Sequence, residues 1–293
     1  MKTNKNELLG IFLIIMAGIT WGANGTIPSA LAPKEASTIA IGASRIVFTG
    51  LLMAIMLLLK DGLSAFKLTS KNKGIFLAAT GLIFYQFSFY TAIKLTGVTI
   101  STMITIGSST IFAGIIGLIF FKEKLTKKWS ISTLMALTGC LLLSISNNGN
   151  TSYTFSAHGI ILSFLTGVSY SIIGAGLRLE GDGSFKSLAM SFLLSGCVGL
   201  PILLLTGASW ILTPSGISTV LIISLFTTII PYLFFFKGIN RIPLGKAYTL
   251  SLTEPLTAWI LSSLILGERL SIIGIIGVIL LSFAIILLAC EKK

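Results

Sequence analysis

Two ionisable side chains stand deep inside long apolar stretches of this 293-residue chain, Arg45 and Glu254. A charge in such a setting is costly unless it faces a cavity or a partner, so both are candidates for function before any element is drawn. Arg45 keeps its charge and offers a planar fork that matches a carboxylate. Its alternative use is structural, holding carbonyls of a neighbouring helix or reaching outward to the interface. Glu254 is followed by Pro255, which removes a backbone N–H and loosens the turn before it, leaving carbonyls free to face a cavity. A carboxyl group there could take up and release a proton, or bind an amine. The alternative is a tie from a broken helix to a neighbouring hydroxyl or amide.

Around these two the chain supplies Trp21, Asn24, Tyr85, Gln86, Tyr90, Ser108, Ser109, Tyr170, Tyr232, Thr253 and Trp259. A few such groups converging among apolar walls suit a small amphipathic ligand, although packing and interface anchoring use the same residue types. His158 reads as an interfacial residue, and Glu123 and Glu268 as stop signals and surface pairs at the ends of apolar runs. Cys140, Cys197 and Cys290 form no CxxC pair and have no histidine cluster nearby. They read as small apolar residues, and neither a metal nor a cofactor is expected.

The elements that must position these groups follow from composition. The chain is 54% hydrophobic and 10% charged, against roughly 25% charged in a soluble domain. Ten apolar stretches reach the roughly 20 residues that a spanning helix needs: 8–27, 36–59, 74–93, 99–121, 129–146, 159–177, 187–206, 217–236, 247–266 and 270–289. Turn-like linkers such as Asn147-Asn148-Gly149-Asn150 and Gly181-Asp182-Gly183 leave no room for an inserted soluble domain. The expected fold is therefore an all-α integral membrane protein of ten helices, with the lipid bilayer as its surroundings.

The net charge of +12 does not point to nucleic acid, because the basic residues fall in short clusters between spans and form no groove. With the N-terminus inside, seventeen Lys and Arg lie in inner loops and three, Lys34, Lys94 and Arg269, in outer ones. That asymmetry predicts a cell (inner) membrane protein with both termini cytoplasmic.

The halves resemble each other. Gly10-Ile11-Phe12-Leu13, running on through Gly18, aligns without a gap with Gly159-Ile160-Ile161-Leu162, running on through Gly167. Ser109-Thr110-Ile111-Phe112-Ala113, ending in Phe121-Lys122-Glu123-Lys124-Leu125, aligns with Glu254-Pro255-Leu256-Thr257-Ala258, ending in Leu266-Gly267-Glu268-Arg269-Leu270. Five spans per half make 1–146 and 147–293 inverted repeats, an arrangement that places a site near the midplane between them. Gly114-Ile115-Ile116-Gly117 and Gly274-Ile275-Ile276-Gly277 suit close helix packing or a homodimer face.

Trp21-Gly22-Ala23-Asn24, Arg45 with Gly50, Tyr90-Thr91-Ala92-Ile93-Lys94, the two Glu-basic-Leu endings and Glu254-Pro255 together resemble the drug/metabolite transporter superfamily, specifically its EamA-type members. The resemblance spans nearly the whole chain. It implies a central cavity lined by spans one to four and six to nine, with five and ten packed outside. Many relatives carry a proline where this chain has Thr110, so the two halves are expected to bend unequally.

The function expected is secondary transport of small amphipathic metabolites such as amino acids, by alternating access and in the direction of export. Uptake is the runner-up. A lipid flippase would need a cavity open sideways to lipid. A membrane-embedded enzyme is disfavoured, because one histidine and two in-span ionisable groups supply little acid/base or metal chemistry.

Overall fold

The computed structural model describes residues 5–24, 27, 31, 37–69, 72–146, 156–181, 185–266 and 271–291; the side chains of 38, 98, 99 and 262–266 fall outside that description. The linker 147–150, the turn at 182–183 and the Glu268-Arg269-Leu270 ending lie outside the described residues. Within them every regular element is helical, and nine helices are long and apolar enough to cross a membrane.

In chain order the helices are α1 (Lys5–Trp21), α2 (Thr38–Asp61), α3 (Lys73–Thr96), α4 (Val98–Phe120), α5 (Lys127–Ser146), α6 (Ala157–Leu179) and α7 (Phe185–Thr206). The eighth span is α8 (Pro214–Ser224) joined to α9 (Ile230–Ile239) by a π-helical turn at Leu225–Ile229. The ninth is α10 (Leu244–Leu250) and α11 (Thr253–Leu266), and α12 (Ile272–Ala289) is the tenth. Local signals set several boundaries. Ser37 caps α2 by accepting the Ala40 N–H at 3.1 Å, and Thr213 caps α8 ahead of Pro214. Gly97 separates α3 from α4 at φ +83°, a left-handed conformation that glycine adopts without strain.

The ninth span departs from the continuous helix expected over 247–266. It starts earlier, at Leu244, and is interrupted at Ser251 and Leu252. Pro255 then falls in the first turn of α11, where its missing N–H costs nothing. Span four, which has Thr110 at the corresponding place, runs unbroken. Unequal bending of the halves is thus observed, and the presence or absence of proline accounts for it.

Packing is dominated by contacts between the halves. Span three packs on six and eight on one; four packs on six and nine on one; three packs on seven and eight on two; two meets seven, four meets nine and five meets ten. Shifting every number by five turns this set into itself. Lipid gives helices no hydrophobic reason to associate, so close approach depends on small residues. A Cβ on Gly50 of α2 would lie 2.6 Å from the Phe192 carbonyl oxygen of α7, and one on Gly196 of α7 would lie 3.2 Å from the Ile46 carbonyl oxygen of α2. Gly139 and Gly277 bring α5 and α12 together in the same way.

The start of α1 and the end of α12 share one face of the bundle, the chain-end face. Lys246 at the start of α10 is buried there, paired with Glu7 of α1 at 3.2 Å and donating to the Glu291 carbonyl just beyond α12.

Candidate functional site

The described residues line a central cavity that offers water about 50 Å³ of free volume, room for a few waters or the polar end of a small metabolite. Its lining comes from both halves: Trp21 and Asn24 from the end of span one, Arg45 from two, Tyr85 and Phe89 from three, and Thr102, Thr105 and Ile106 from four. Tyr170 comes from six, Thr227 and Tyr232 from eight, and Glu254 from nine. Span seven contributes none of these residues.

Arg45 and Glu254 are the charged groups of this lining. Each lies close enough to feel the other's charge, yet the two ion pairs among the described residues, Glu123 with Arg178 and Glu7 with Lys246, do not involve them. Arg45 is instead aimed from behind. Its Nη2 donates to the Gln86 side-chain oxygen at 3.3 Å, and the Gln86 amide donates to the Gly42 carbonyl at 2.7 Å. Gly42 makes room for this: a Cβ there would meet the ring of Tyr90 and the amide of Gln86. Arg45 itself lines the cavity.

Glu254 sits in the first turn of α11, directly after the break. Its backbone N–H donates to the Ser251 carbonyl at 2.9 Å, which holds the residue at the break. Gly18 and Gly22 of span one lie against this turn, since side chains there would run into Thr253 and Thr257. Asn24 brings its side-chain oxygen into the same cavity, buried and without a hydrogen bond.

Aromatic rings form the rest of the wall. Trp21 stands edge-on to Tyr232 at 5.3 Å and to Tyr170 at 6.1 Å, while Tyr85 stacks on Phe89 at 5.5 Å and meets Tyr170 at 5.4 Å. Such faces attract a cation and pack against apolar groups. The arrangement can hold a small dipolar molecule, with an anionic end at the guanidinium and a cationic end at the carboxylate and rings.

Seven of the residues singled out from sequence thus line the cavity: Trp21, Asn24, Arg45, Tyr85, Tyr170, Tyr232 and Glu254. The others stand behind or beside it. Gln86 supports Arg45, and the Tyr90 ring lies against Gly42. Ser108 bonds to carbonyls of Ile104 and, across the seam with α6, of Phe164; Ser109 bonds to the Ile106 carbonyl. Thr253 caps the break through the Leu250 carbonyl at 2.9 Å, and Trp259 packs against the core. The cavity also uses Phe89, Thr102, Thr105, Ile106 and Thr227. Phe89 is one turn from Tyr85, and 102, 105 and 106 share one helical face, so spacing alone could have found them. Thr227, inside the π turn, and Tyr232, five residues on, reach the same cavity.

Glu123 needs correction: it is no surface pair. Its side chain is 10% exposed, joined to Arg178 at 2.6 Å and accepting the Leu244 N–H at 2.8 Å. Lys246 and Arg178 likewise extend the in-span ionisable groups beyond the two expected. The small-residue pairs are used within the chain, Gly114 against Trp129 and Gly245, Gly277 against Gly139.

A family model described as the EamA-like transporter family matches this chain twice, over residues 8–145 and 157–290. The chain belongs to that family. It is similar to a protein of Bacillus subtilis (strain 168) named "Uncharacterized transporter YwfM", at 34% identity over 99% of this chain and 96% of the relative. A second from that organism, "Uncharacterized transporter YetK", is 23% identical over 83% of this chain and 75% of its own length. A solved crystal structure with 17% sequence identity superposes at a TM-score of 0.81, covering 98% of this chain and 96% of that one, a likeness of fold alone. The family match and these relatives identify a multi-pass membrane transporter that acts on small molecules, with the duplicated architecture of the family.

Proposed function

We propose that the protein is a secondary carrier that exports small amphipathic metabolites, amino acids among them, across the cell membrane. Residues 1–146 and 147–293 act as inverted repeats that rock about the cavity, with both termini cytoplasmic. The observation that carries this reading is the placement of Arg45 and Glu254 in one cavity, lined from both halves, without an ion pair between them. Opposite charges held apart in a small aromatic cavity suit a ligand that bears both. The exchange of span contacts under a shift of five supports the repeat, and the loop charges support the orientation.

Glu254 would carry the coupled proton, taking it up on one side and releasing it on the other as the cavity changes sides. The test is flux of a metabolite panel in proteoliposomes, with Glu254→Gln as the matched variant. Wild type should give saturable flux of at least one panel member. Glu254→Gln should abolish flux driven by a pH gradient and leave exchange at equal pH largely intact, because exchange moves no net proton. Unchanged pH-driven flux in the variant would remove the coupling role.

A further inference from the structure

The face that carries the chain ends is laced shut, and the lacing centres on α10. This short helix is buried along its whole length. Its first N–H, at Leu244, is accepted by Glu123 at 2.8 Å, and Glu123 is also paired with Arg178 at 2.6 Å. Arg178 in turn donates to the Ile242 carbonyl at 2.9 Å, just before α10, and lies over the Phe121 ring at the end of α4. Further along, Lys246 of α10 is paired with Glu7. The helix is also pressed against α4, since a Cβ on Gly245 would lie 2.9 Å from the Gly114 Cα.

Each of the pairs Glu123 with Leu244, Glu123 with Arg178 and Glu7 with Lys246 joins the first half of the chain to the second. Among the described residues both ion pairs lie on this face. Span four packs on α10 but makes no comparable contact with α11. The two spans therefore meet at the chain-end face and part toward the level of Glu254. Opening the cavity to the chain-end face requires α10 to leave α4, which pulls Leu244 and Ile242 away from Glu123 and Arg178.

We propose that Glu123 and Arg178 are the latch of a gate on the chain-end face, holding α10 against α4 while the cavity opens to the opposite face. The inference rests on the alternating-access reading above and adds the residues that govern it. The latch works by desolvation: the pair is sheltered when the gate is shut, and removing one partner leaves the other charge sheltered without the ion pair that offsets its desolvation. The shut state then loses its advantage over the open one.

The experiment uses the full-length protein with its three cysteines replaced and Ile106→Cys in the cavity as reporter. A membrane-impermeant thiol reagent is added to whole cells or to inside-out vesicles, and Ser64→Cys, exposed on the chain-end face, first establishes which side that face occupies. This calibration separates failure of the orientation from failure of the latch. With the latch intact, Ile106→Cys should label from the side opposite the chain ends and only slowly from the chain-end side. Glu123→Ala should speed labelling from the chain-end side by about tenfold or more. Arg178→Gln, which leaves the cap on Leu244 in place, should act in the same direction, so the test survives if Glu123→Ala fails to fold. Unchanged chain-end labelling in a folded variant, or fast chain-end labelling with the latch intact, would overturn the proposal.

Discussion

A close backbone approach between α2 and α7 at Gly50 sets a graded prediction. At Gly50 an added methyl group would lie 2.6 Å from the Phe192 carbonyl oxygen and 3.1 Å from its carbonyl carbon, both backbone atoms that cannot rotate away. Ordinary contact begins near 3.4 Å, so Gly50→Ala forces the helices apart by up to 0.8 Å at this crossing. Overpacking of this kind costs about 1–3 kcal/mol, and the better helix propensity of alanine returns up to about 1 kcal/mol. At Gly196, the contact with the Ile46 carbonyl oxygen is 3.2 Å, so Gly196→Ala should cost less. Gly107 has open space to 4.0 Å, so Gly107→Ala should be neutral or mildly stabilising. Thermal unfolding in detergent, followed by tryptophan fluorescence, should therefore rank Gly50→Ala lowest, by a few degrees at about 2–4 °C per kcal/mol, then Gly196→Ala, then Gly107→Ala at or above wild type. Because Arg45 lies on α2 little more than one turn from Gly50, flux should fall in Gly50→Ala even below its unfolding temperature. Equal unfolding temperatures for Gly50→Ala and Gly107→Ala would refute the argument from helix spacing.

Further outcomes follow from the support of Arg45 and from the topology. Gln86→Leu removes the bonds that Gln86 makes to Arg45 and to the Gly42 carbonyl, which keeps its bond within α2, and should destabilise by about 0.5–1.5 kcal/mol, read from the same melting curves. Gln86→Glu should pair internally with Arg45 and weaken competition by carboxylate metabolites far more than by their neutral amides, as measured in flux assays. Arg45→Lys keeps the charge but loses the planar fork; affinity should fall while the melting curve stays near wild type, and a large loss of stability with unchanged affinity would make Arg45 a packing residue. In a cysteine-free background, Ser209→Cys should react with an impermeant thiol reagent in whole cells and Ser64→Cys should not, whereas the reverse pattern would invert the proposed orientation.

The spans were legible because lipid imposes one strong rule, a long apolar helix, and nine of the described helices obey it. The ninth was legible as apolar but not as broken at Ser251 and Leu252; Pro255 signalled a disturbance without fixing on which side of Thr253 the chain would turn. The π turn at Leu225–Ile229 carries no proline or glycine inside it; its trace is Pro231 just beyond, which lacks the N–H that would bond the Thr227 carbonyl, and that trace did not show where the helix would widen. Arg45 and Glu254 could be found because their charges stand alone in apolar sequence. Glu123 and Arg178 could not, because charged residues at span ends are ordinary, and only the fold brings two ends from different halves into contact. Gln86 was visible as a polar residue in span three, while its task, aiming Arg45, depends on a glycine 44 positions earlier in the chain.

The most direct test of the account is a structure of the protein with a metabolite that it is shown to carry. The account predicts that ligand in the central cavity, with its acidic group at the Arg45 guanidinium and its basic group within reach of Glu254 and the rings of Trp21 and Tyr232. A transported ligand bound elsewhere, with Arg45 and Glu254 both untouched, would contradict it.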